Sequence, residues 1–187
     1  VDTTASFPMP GTYVLRLTAD DGELTSNDET SITVIGSGGE RVVQSRVAAS
    51  SDDAEERIDT SVDLNSSDLE MVFDVGGNQT VGMRFTGLDI PRGAIISNAF
   101  IQFQADETKS NVTTLTIEGE NVDNASTFIA SNGNITSRPR TTASVPWSPP
   151  AWTTVGEMGL AQRTPDITSV IQEIVIQPGW SSGNSLV

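Results

Sequence analysis

Residues 81–107 read VGMRFTGLDIPRGAIISNAFIQFQADE, and this stretch decides the fold class. Two runs within it alternate apolar residues with small or polar ones, a period of two that predicts half-buried β-strands. The apolar positions are Val81, Met83 and Phe85 in the first run and Ala99, Ile101, Phe103 and Ala105 in the second. Ile-Pro-Arg-Gly at 90–93 predicts a turn between them, because proline presets φ and glycine permits the corner. Two antiparallel strands around such a turn predict the heart of a β-sandwich, whose second sheet the rest of the chain supplies.

Composition narrows the functional classes. Of the 187 residues, 36% are hydrophobic and only 5% aromatic, which favours short strands joined by polar turns. Cysteine and histidine are both absent from the chain. Disulfides, cysteine–metal sites and the usual general base are therefore excluded, and catalytic triads, zinc hydrolases and haem sites are disfavoured. Paired carboxylates could still serve glycoside hydrolysis, but acids are so numerous here that any two would fit. We predict a protein that is not an enzyme.

The net charge indicates which partners and which location to expect. Twenty-five acidic residues against ten basic ones give a formal net charge of −15 and a pI near 4.1. Nucleic-acid binding needs a positive surface and is disfavoured. An acidic surplus is typical of secreted proteins in salty or calcium-rich surroundings. An equally good interpretation is that the acidic residues only keep the protein soluble. No apolar run approaches the roughly 20 residues that span a bilayer, so no membrane insertion is expected. We expect an extracellular or cell-surface location.

Residues 1–35 predict two strands around an Asp-Gly turn. They resemble the closing part of a PKD-type immunoglobulin-like module. The residues that carry this resemblance are Phe7, Pro10, Gly11, Tyr13, Asp21 and Gly22. The resemblance implies opening strands upstream of Val1. Gly-Ser-Gly-Gly within 36–40 predicts a linker, and 41–187 then form the main domain.

Within the main domain, we predict further strands at 41–49, 114–119 and 142–147. An acidic loop is expected over 50–56, and a polar irregular segment over 121–140. Residues 185–187 indicate the start of one more strand.

A single helix is predicted after Thr164, which serves as N-cap, with Pro165 at the first position and Asp166 near the positive end of the dipole. Apolar residues recur there at helical spacing: Ile167, Val170, Ile171, Ile174 and Val175. Gln-Pro-Gly at 177–179 ends the helix.

From residue 42 onward the chain resembles the DNRLRE-type, disaggregatase-related jelly rolls of large secreted bacterial and archaeal proteins. The matching stretches are MRF at 83–85, IPRGA at 90–94, AFIQF at 99–103, SVPW at 144–147 with Trp152, and DITSVIQ at 166–172. Some relatives are carbohydrate-binding modules, including binders of acidic algal polysaccharides. The resemblance therefore implies a jelly-roll β-sandwich that binds polysaccharide or a cell-surface glycan. It also implies a last strand that would follow Val187, while 121–140 departs from the short family pattern.

Both ends therefore read as interrupted modules with open strand edges. The first interpretation is a non-catalytic module of a larger secreted or surface protein that binds polysaccharide and serves adhesion. The alternative is a structural subunit of an extracellular fibre or surface layer, in which other copies of the chain complete the edges by strand addition. An accessory region of an extracellular hydrolase is a third interpretation.

Acidic residues provide the candidate metal site. Calcium takes six to eight hard oxygen ligands, and closely spaced carboxylates on a loop can converge with backbone carbonyls. The candidate Ca²⁺ ligands are Asp52, Asp53, Glu55 and Glu56 in the acidic loop, with Asp106 and Glu107 at the end of a core strand. A solvated acidic turn is the alternative interpretation.

Trp152, Arg138 and Arg140 are the candidate ligand-binding residues. An aromatic ring offers an apolar plate to the C–H face of a sugar, and Trp152 follows two prolines in a loop. The two arginines could pair with the carboxylates of an acidic polysaccharide, or simply neutralise nearby acids. Trp147 and Trp180 are expected to pack in the core.

Five Asn-x-Ser/Thr sequons provide candidate glycosylation sites, at Asn65, Asn78, Asn111, Asn124 and Asn134. In a host that glycosylates, they would mark exposed loops of a surface protein.

Overall fold

The computed structural model describes residues 6–7, 11–20, 22–23, 25–34, 40–74 and 76–187, with the side chains of 17, 19, 20, 25, 26 and 34 left out. The chain divides into two compact units, Val1–Val42 and Val43–Val187. Of the predicted linker at 36–40, only Glu40 lies within the described residues.

Short antiparallel strands and one short helix make up the described structure, which is therefore all-β with a single helix. The strands are β1 (Gly11–Asp20), β2 (Thr25–Val34), β3 (Asp53–Glu56), β4 (Val62–Asp63), β5 (Phe73–Asp74), β6 (Gly77–Asn78), β7 (Thr80–Met83), β8 (Leu115–Glu120) and β9 (Arg140–Trp147). A 3₁₀ turn at Leu160–Gln162 and helix α1 (Thr168–Val175) follow. They form a three-stranded sheet in the order β4-β3-β7 and three two-stranded sheets, β1-β2, β5-β6 and β8-β9.

The first unit contains the antiparallel pair β1–β2, which confirms both strands predicted there. Tyr13 lies opposite Ile32, both half-buried, and the Phe7 ring lies 4.9 Å from the Tyr13 ring. On the other face Arg16 pairs with Glu29 in an exposed ion pair, a kind that contributes little to stability. Pro10 and Asp21, which carry part of the resemblance, lie outside the described residues.

The two runs of residues 81–107 that were predicted to be strands bond to other segments and not to each other. Strand β7 lies against β3, and Phe85 exchanges both backbone hydrogen bonds with Leu186, at 2.9 and 3.0 Å. Residues 99–105 are extended and bond to 157–167 instead, without forming a regular strand. The predicted turn is present, with Gly93 at φ +73°, and it leads the chain to the end of α1 through the Gly93 N–H bond to the Val175 carbonyl at 2.9 Å.

Strand β7 is covered on both faces, although the alternation predicted one solvated face. A Cβ on Gly82 would lie 2.5 Å from Cζ of Phe128, so the Phe128 ring fills the space that a side chain would need. Glycine is required at position 82 by close packing and not by its backbone conformation.

Two local predictions before β7 are wrong. Of the acidic loop expected over 50–56, residues Asp53–Glu56 instead form β3, the central strand of its sheet, because β4 and β7 both pair with it. Residues 41–48 are not a regular strand; there the Ser45 hydroxyl donates to the Thr86 carbonyl at 3.0 Å.

Strands β8 and β9 confirm the two strands predicted at 114–119 and 142–147. Leu115 lies opposite Trp147, and the register shifts between Glu118 and Glu120. Buried Gly119 marks where α1 packs on this pair, because a Cβ there would lie 2.8 Å from Ile174.

Helix α1 begins later than predicted, since Thr164 is engaged elsewhere. The Thr164 hydroxyl accepts a hydrogen bond from the Ile101 N–H, and the Thr164 N–H donates to the Ile101 carbonyl, both at 3.0 Å. The Asp166 carboxylate instead accepts from the N–H of Thr168, the first helical residue, at 2.9 Å. The predicted apolar face is confirmed, with Ile167, Val170, Ile174 and Val175 buried.

Two apolar cores lie within the second unit. One comprises Leu88, Ile174, Val175, Trp180 and Leu186, and the other comprises Ala54, Phe128 and Ile135. As expected, Trp180 is buried, and its indole N–H donates to the Ile90 carbonyl at 2.9 Å. The irregular segment 121–140 therefore supplies core residues even though it lacks regular structure.

Residues 183–187 lie between two other segments of the same chain. On one side they bond to Phe85 and Leu88; on the other, the Glu120 N–H donates to the Val187 carbonyl at 2.8 Å and the Ala125 N–H to the Ser185 carbonyl at 2.9 Å. This segment is thus an internal element, with both of its backbone edges occupied.

None of the helices among the described residues combines the length and apolarity that crossing a bilayer requires.

Candidate functional site

The candidate calcium ligands take separate partners inside the protein. Asp52 accepts a hydrogen bond from Nη1 of Arg84 at 2.7 Å, and both side chains are mostly buried. Arg84 also donates to the Ala125 carbonyl at 2.8 Å and to the Ser185 hydroxyl at 3.0 Å. Asp52 therefore ties β3 to the internal segment 183–187.

Glu56 is 1% exposed and anchors the irregular segment. One carboxylate oxygen accepts from the N–H groups of Ile135 at 2.7 Å and Thr136 at 3.0 Å, and the other accepts from the Thr136 hydroxyl. A buried charge with three donors is well satisfied, so this carboxylate acts as a structural clamp.

Glu55 is also 1% exposed, and it lies beside a second carboxyl. It accepts from the Glu70 N–H at 2.7 Å. Burial, followed by a hydrogen bond with the Glu70 carboxyl, raises the pKa of Glu55 to about 7. Burial likewise raises the pKa of the neighbouring Asp53.

Asp106 and Glu107 are exposed, and Glu107 pairs with Lys109 at 2.7 Å. In the part of the chain that the structure describes, no three acidic side chains gather where they could hold a metal. Alternation along β3 explains this, because neighbouring residues of a strand point to opposite faces. Calcium binding by these residues stays a prediction.

Arg138, a candidate ligand-binding residue, is committed to contacts inside the protein. Its five N–H donors all bond within the chain: to the carbonyls of Asn134, Ser126 and Thr127, to the Asn134 side chain, and to Glu120 at 2.7 Å. The pair with Glu120 is buried, and the guanidinium lies 4.5 Å from the Phe128 ring centroid. No donor is left for a polysaccharide carboxylate.

The other two candidates are partly engaged. Arg140 donates to the Ile135 carbonyl at 3.0 Å and lies 4.0 Å from the Glu118 carboxylate. Trp152 is half-buried; its indole N–H donates to the Ala161 carbonyl at 2.9 Å, and its ring centroid lies 6.3 Å from that of Phe103. Phe103 also stacks on buried Trp147 at 5.8 Å, as expected for a core tryptophan.

The five sequons lie in different surroundings. Asn65, Asn78 and Asn111 are exposed, and no hydrogen bond links their side-chain amides to other described residues. Asn124 and Asn134 instead accept hydrogen bonds from the N–H groups of Ser185 at 2.9 Å and Ile129 at 3.0 Å. A glycan on either of these two would compete with a contact inside the chain.

A cavity that the sequence did not predict lies beside β5 and β6. Its volume is about 10 Å³, room for about one water molecule, and it is lined by Arg57, Ile58, Asp74, Gly77 and Gln79. This is far below the range of about 300–1,000 Å³ usual for pockets that enclose a small molecule, so it does not enclose a ligand.

Gln79 supplies an unmatched polar group at this cavity. Its side chain is 8% exposed, and its Nε2 donates to the Glu70 carbonyl at 2.6 Å. Its Oε1 is buried and has no hydrogen-bond partner. Such an acceptor costs free energy, and because it is buried it is not open to a ligand.

Two charged side chains complete the polar wall. The Asp74 carboxylate forms no hydrogen bond or ion pair with another described residue. Arg57 donates through Nη2 to Asp63 at 2.9 Å, which leaves its other N–H groups uncommitted among the described residues. The region thus combines one accessible acceptor, the Asp74 carboxylate, with N–H groups of Arg57 that are not used within the described residues.

Exposed apolar side chains border this region on both sides of the β5–β6 pair. Ile58 is 72% exposed and packs against Gly77, where a Cβ would lie 3.2 Å from Ile58 Cδ1. Phe73 is 68% exposed and lies opposite Asn78, so it points away from the face that carries Asp74 and Gly77. Strands of only two residues carry no readable alternation, which is why the sequence did not reveal this site.

Comparison with known proteins identifies no relative: no protein-family model matches the chain, and no curated protein or solved structure matches it.

Proposed function

We propose that this chain is a non-catalytic extracellular module of a larger secreted or surface protein and that it binds polysaccharide. One observation carries the proposal: beside β5–β6 the Asp74 carboxylate, which has no hydrogen-bond partner among the described residues, lies in one small depression with the exposed Ile58 side chain.

Sugars fit this combination because they present hydroxyl groups at their edges and apolar C–H groups on their faces. Ile58 provides an apolar contact beside the acceptor Asp74. The site is shallow and open, which suits one segment of a long polymer better than an enclosed small molecule.

We infer binding without chemistry from the use of the buried carboxylates. Asp52 and Glu56 accept hydrogen bonds from groups of the chain itself, and Glu55 bonds to Glu70. Each of these acids holds protein segments together.

The architecture that we propose is a two-layered β-sandwich of the jelly-roll type. Its support is the antiparallel pairing throughout, the two apolar cores, and the placement of α1 against β8 and β9.

The test is native affinity electrophoresis through gels that contain one polysaccharide each, neutral or acidic. We expect retardation of the unmodified protein in at least one gel, and at least a severalfold loss of affinity in Ile58→Ala. Ile95→Ala is the matched control, because Ile95 is 91% exposed and does not line the cavity. Equal mobility in every gel would refute the proposal.

A further inference from the structure

We propose that Arg163, with its guanidinium stacked on the Phe100 ring, binds an anionic group of a polysaccharide, either a carboxylate or a sulfate ester. Neither residue lines the depression beside β5–β6, so this is a second contact point on the same unit. The inference rests on the proposed function and names the class of polysaccharide.

The backbone brings the residues of this site together. Gln102 lies opposite Arg163 in an antiparallel bridge, and the Phe103 N–H donates to the Gln162 carbonyl at 2.9 Å beside it. Phe100 and Gln102 are two positions apart in an extended segment, so their side chains point to the same face. The arginine thus has an aromatic ring and an amide as its neighbours.

Two contacts hold the guanidinium of Arg163 in one orientation. Its Cζ lies 4.2 Å from the centroid of the Phe100 ring, and its Nε donates to Oε1 of Gln102 at 3.0 Å. The Gln102 amide is itself fixed, because its Nε2 donates to the carbonyls of Gly159 at 2.9 Å and Phe103 at 3.1 Å. Exchanging the amide nitrogen and oxygen would break all three hydrogen bonds, so Oε1 must face the arginine.

The outer end of the guanidinium is open to a ligand. Among the described residues, Arg163 forms no ion pair, and its Nη1 and Nη2 atoms have no hydrogen-bond partner. Both atoms reach solvent, because the buried side-chain atoms without a partner in this part of the chain belong to Gln79 and Gln162 instead. A carboxylate or a sulfate can accept two parallel N–H bonds from such an end.

The missing counter-ion is unusual in a chain with a formal net charge of −15. Five other cations of the second unit each pair with a carboxylate of the chain: Arg57, Arg84, Lys109, Arg138 and Arg140. Arg163 is fixed by contacts as they are, but without an acid. Because stacking and the Nε bond already restrict its side chain, little conformational entropy is lost when an anion binds.

Phe100 supplies an apolar contact for the same sugar residue. Its side chain is 43% exposed even with the guanidinium above the ring. An aromatic surface of this kind packs against the C–H groups of a sugar. A sugar that carries an anionic substituent can therefore use both side chains at once.

The experiment is affinity electrophoresis at one ionic strength with two matched pairs of polymers. Polygalacturonate is compared with its methyl ester, and dextran sulfate with dextran, so that carboxylate and sulfate are tested separately. We expect retardation on at least one anionic polymer and not on its uncharged counterpart. Arg163→Gln should reduce that affinity about tenfold, the scale for hydrogen bonds to a charged group.

Two further variants show whether the positioned guanidinium is the cause. Arg163→Lys keeps the charge but cannot form two parallel bonds or the bond to Gln102, so it should lose most of the affinity. Arg92→Gln is the matched control, because Arg92 is exposed and forms no ion pair with another described residue. It should bind like the unmodified protein. A melting curve for each variant shows that it is folded.

The possible failures are distinguishable. Retardation on an anionic polymer that Arg163→Gln does not weaken, or that Arg163→Lys leaves at full strength, would overturn this inference. Retardation on neutral polysaccharides alone, dependent on Ile58 and not on Arg163, would also overturn it and leave the proposed function standing. Absence of retardation on every polysaccharide overturns both.

Discussion

Glu55 shows how a single buried residue couples this fold to pH. Its pKa is raised to about 7 from the ordinary value of 4.5, so between these two pH values the folded chain holds a proton that the unfolded chain has released. Stability must then fall as pH rises from about 4.5 to about 7. Asp59, Asp63, Asp166 and Glu173 have lowered pKa values and act oppositely, losing their contribution as the pH falls through the acid range.

We therefore predict that Glu55→Gln flattens the pH dependence of unfolding. The unmodified protein should lose up to about 3 kcal/mol of unfolding free energy between pH 5 and pH 8 through this residue, and the variant should not. Urea unfolding at the two pH values measures the difference, with exposed Glu118→Gln as the control. An equal loss in Glu55→Gln would show that another group carries the proton.

Arg138 gives a second prediction at this scale. Removing it leaves Glu120 buried without its counter-ion and frees three backbone carbonyls, so Arg138→Ala should destabilise the fold by about 3 kcal/mol or more. Arg140→Ala is the control and should cost much less, because Arg140 is more exposed and makes a single hydrogen bond. Chemical denaturation of both variants decides the point, and equal losses would contradict this account of Arg138.

The sequence predicted the position of single residues correctly only where the local pattern of apolar residues determines it. The core positions of Trp147, Trp180 and Val170 follow from neighbouring apolar residues and were confirmed. The role of Glu56 was missed, because its partner Ile135 lies 79 positions away and no local pattern connects the two.

Among the elements, β7 depends on a residue without a side chain. Gly82→Ala would place a Cβ 2.5 Å from the Phe128 ring, and overpacking of this kind costs about 1–3 kcal/mol. Gly159→Ala, where the nearest atom would lie at 3.4 Å, should be close to neutral. Adding Phe128→Leu to Gly82→Ala should recover part of the loss in a thermal melt, and a failure to recover would mean that the backbone of β7 is the cause.

The sequence predicted the type of several secondary-structure elements correctly, but not the segments with which they pair. The periodicity of β8, β9 and α1 predicted all three, but not that the helix starts at Thr168. Thr164 has the chemistry of an N-cap, yet pairing with Ile101 engages both its hydroxyl and its backbone. Local preference is overridden where a longer-range pairing satisfies the same groups.

At the level of the whole molecule, the stability of the second unit depends on Leu186, which belongs to an apolar core and bonds to Phe85 of another segment. Leu186→Ala should destabilise the fold by about 2–5 kcal/mol, the range for truncation of a buried leucine. Leu160→Ala is the same substitution at an 80% exposed position and should change the melting temperature little. Equal melting temperatures for the two variants would contradict the internal position of residues 183–187.

The all-β class followed from alternation, but the pairing of strands did not. The deciding stretch predicted one central pair, whereas β7 pairs with β3 and residues 99–105 bond to 157–167. Either arrangement satisfies the same alternation, and only the rest of the chain decides between them. The cavity beside β5–β6 was beyond prediction for a related reason, since its walls come from separate turns.

The internal position of residues 183–187 also bears on how the protein is made. The amino-terminal part of a chain emerges from the ribosome first, but Arg84 cannot bond to Ser185 until 101 further residues have been added. The second unit must therefore wait for the end of its own synthesis before closing, and contacts of such long range make folding slow. Until then Phe128 and the helix face lack part of their cover, and during that interval the nascent chain needs protection from aggregation.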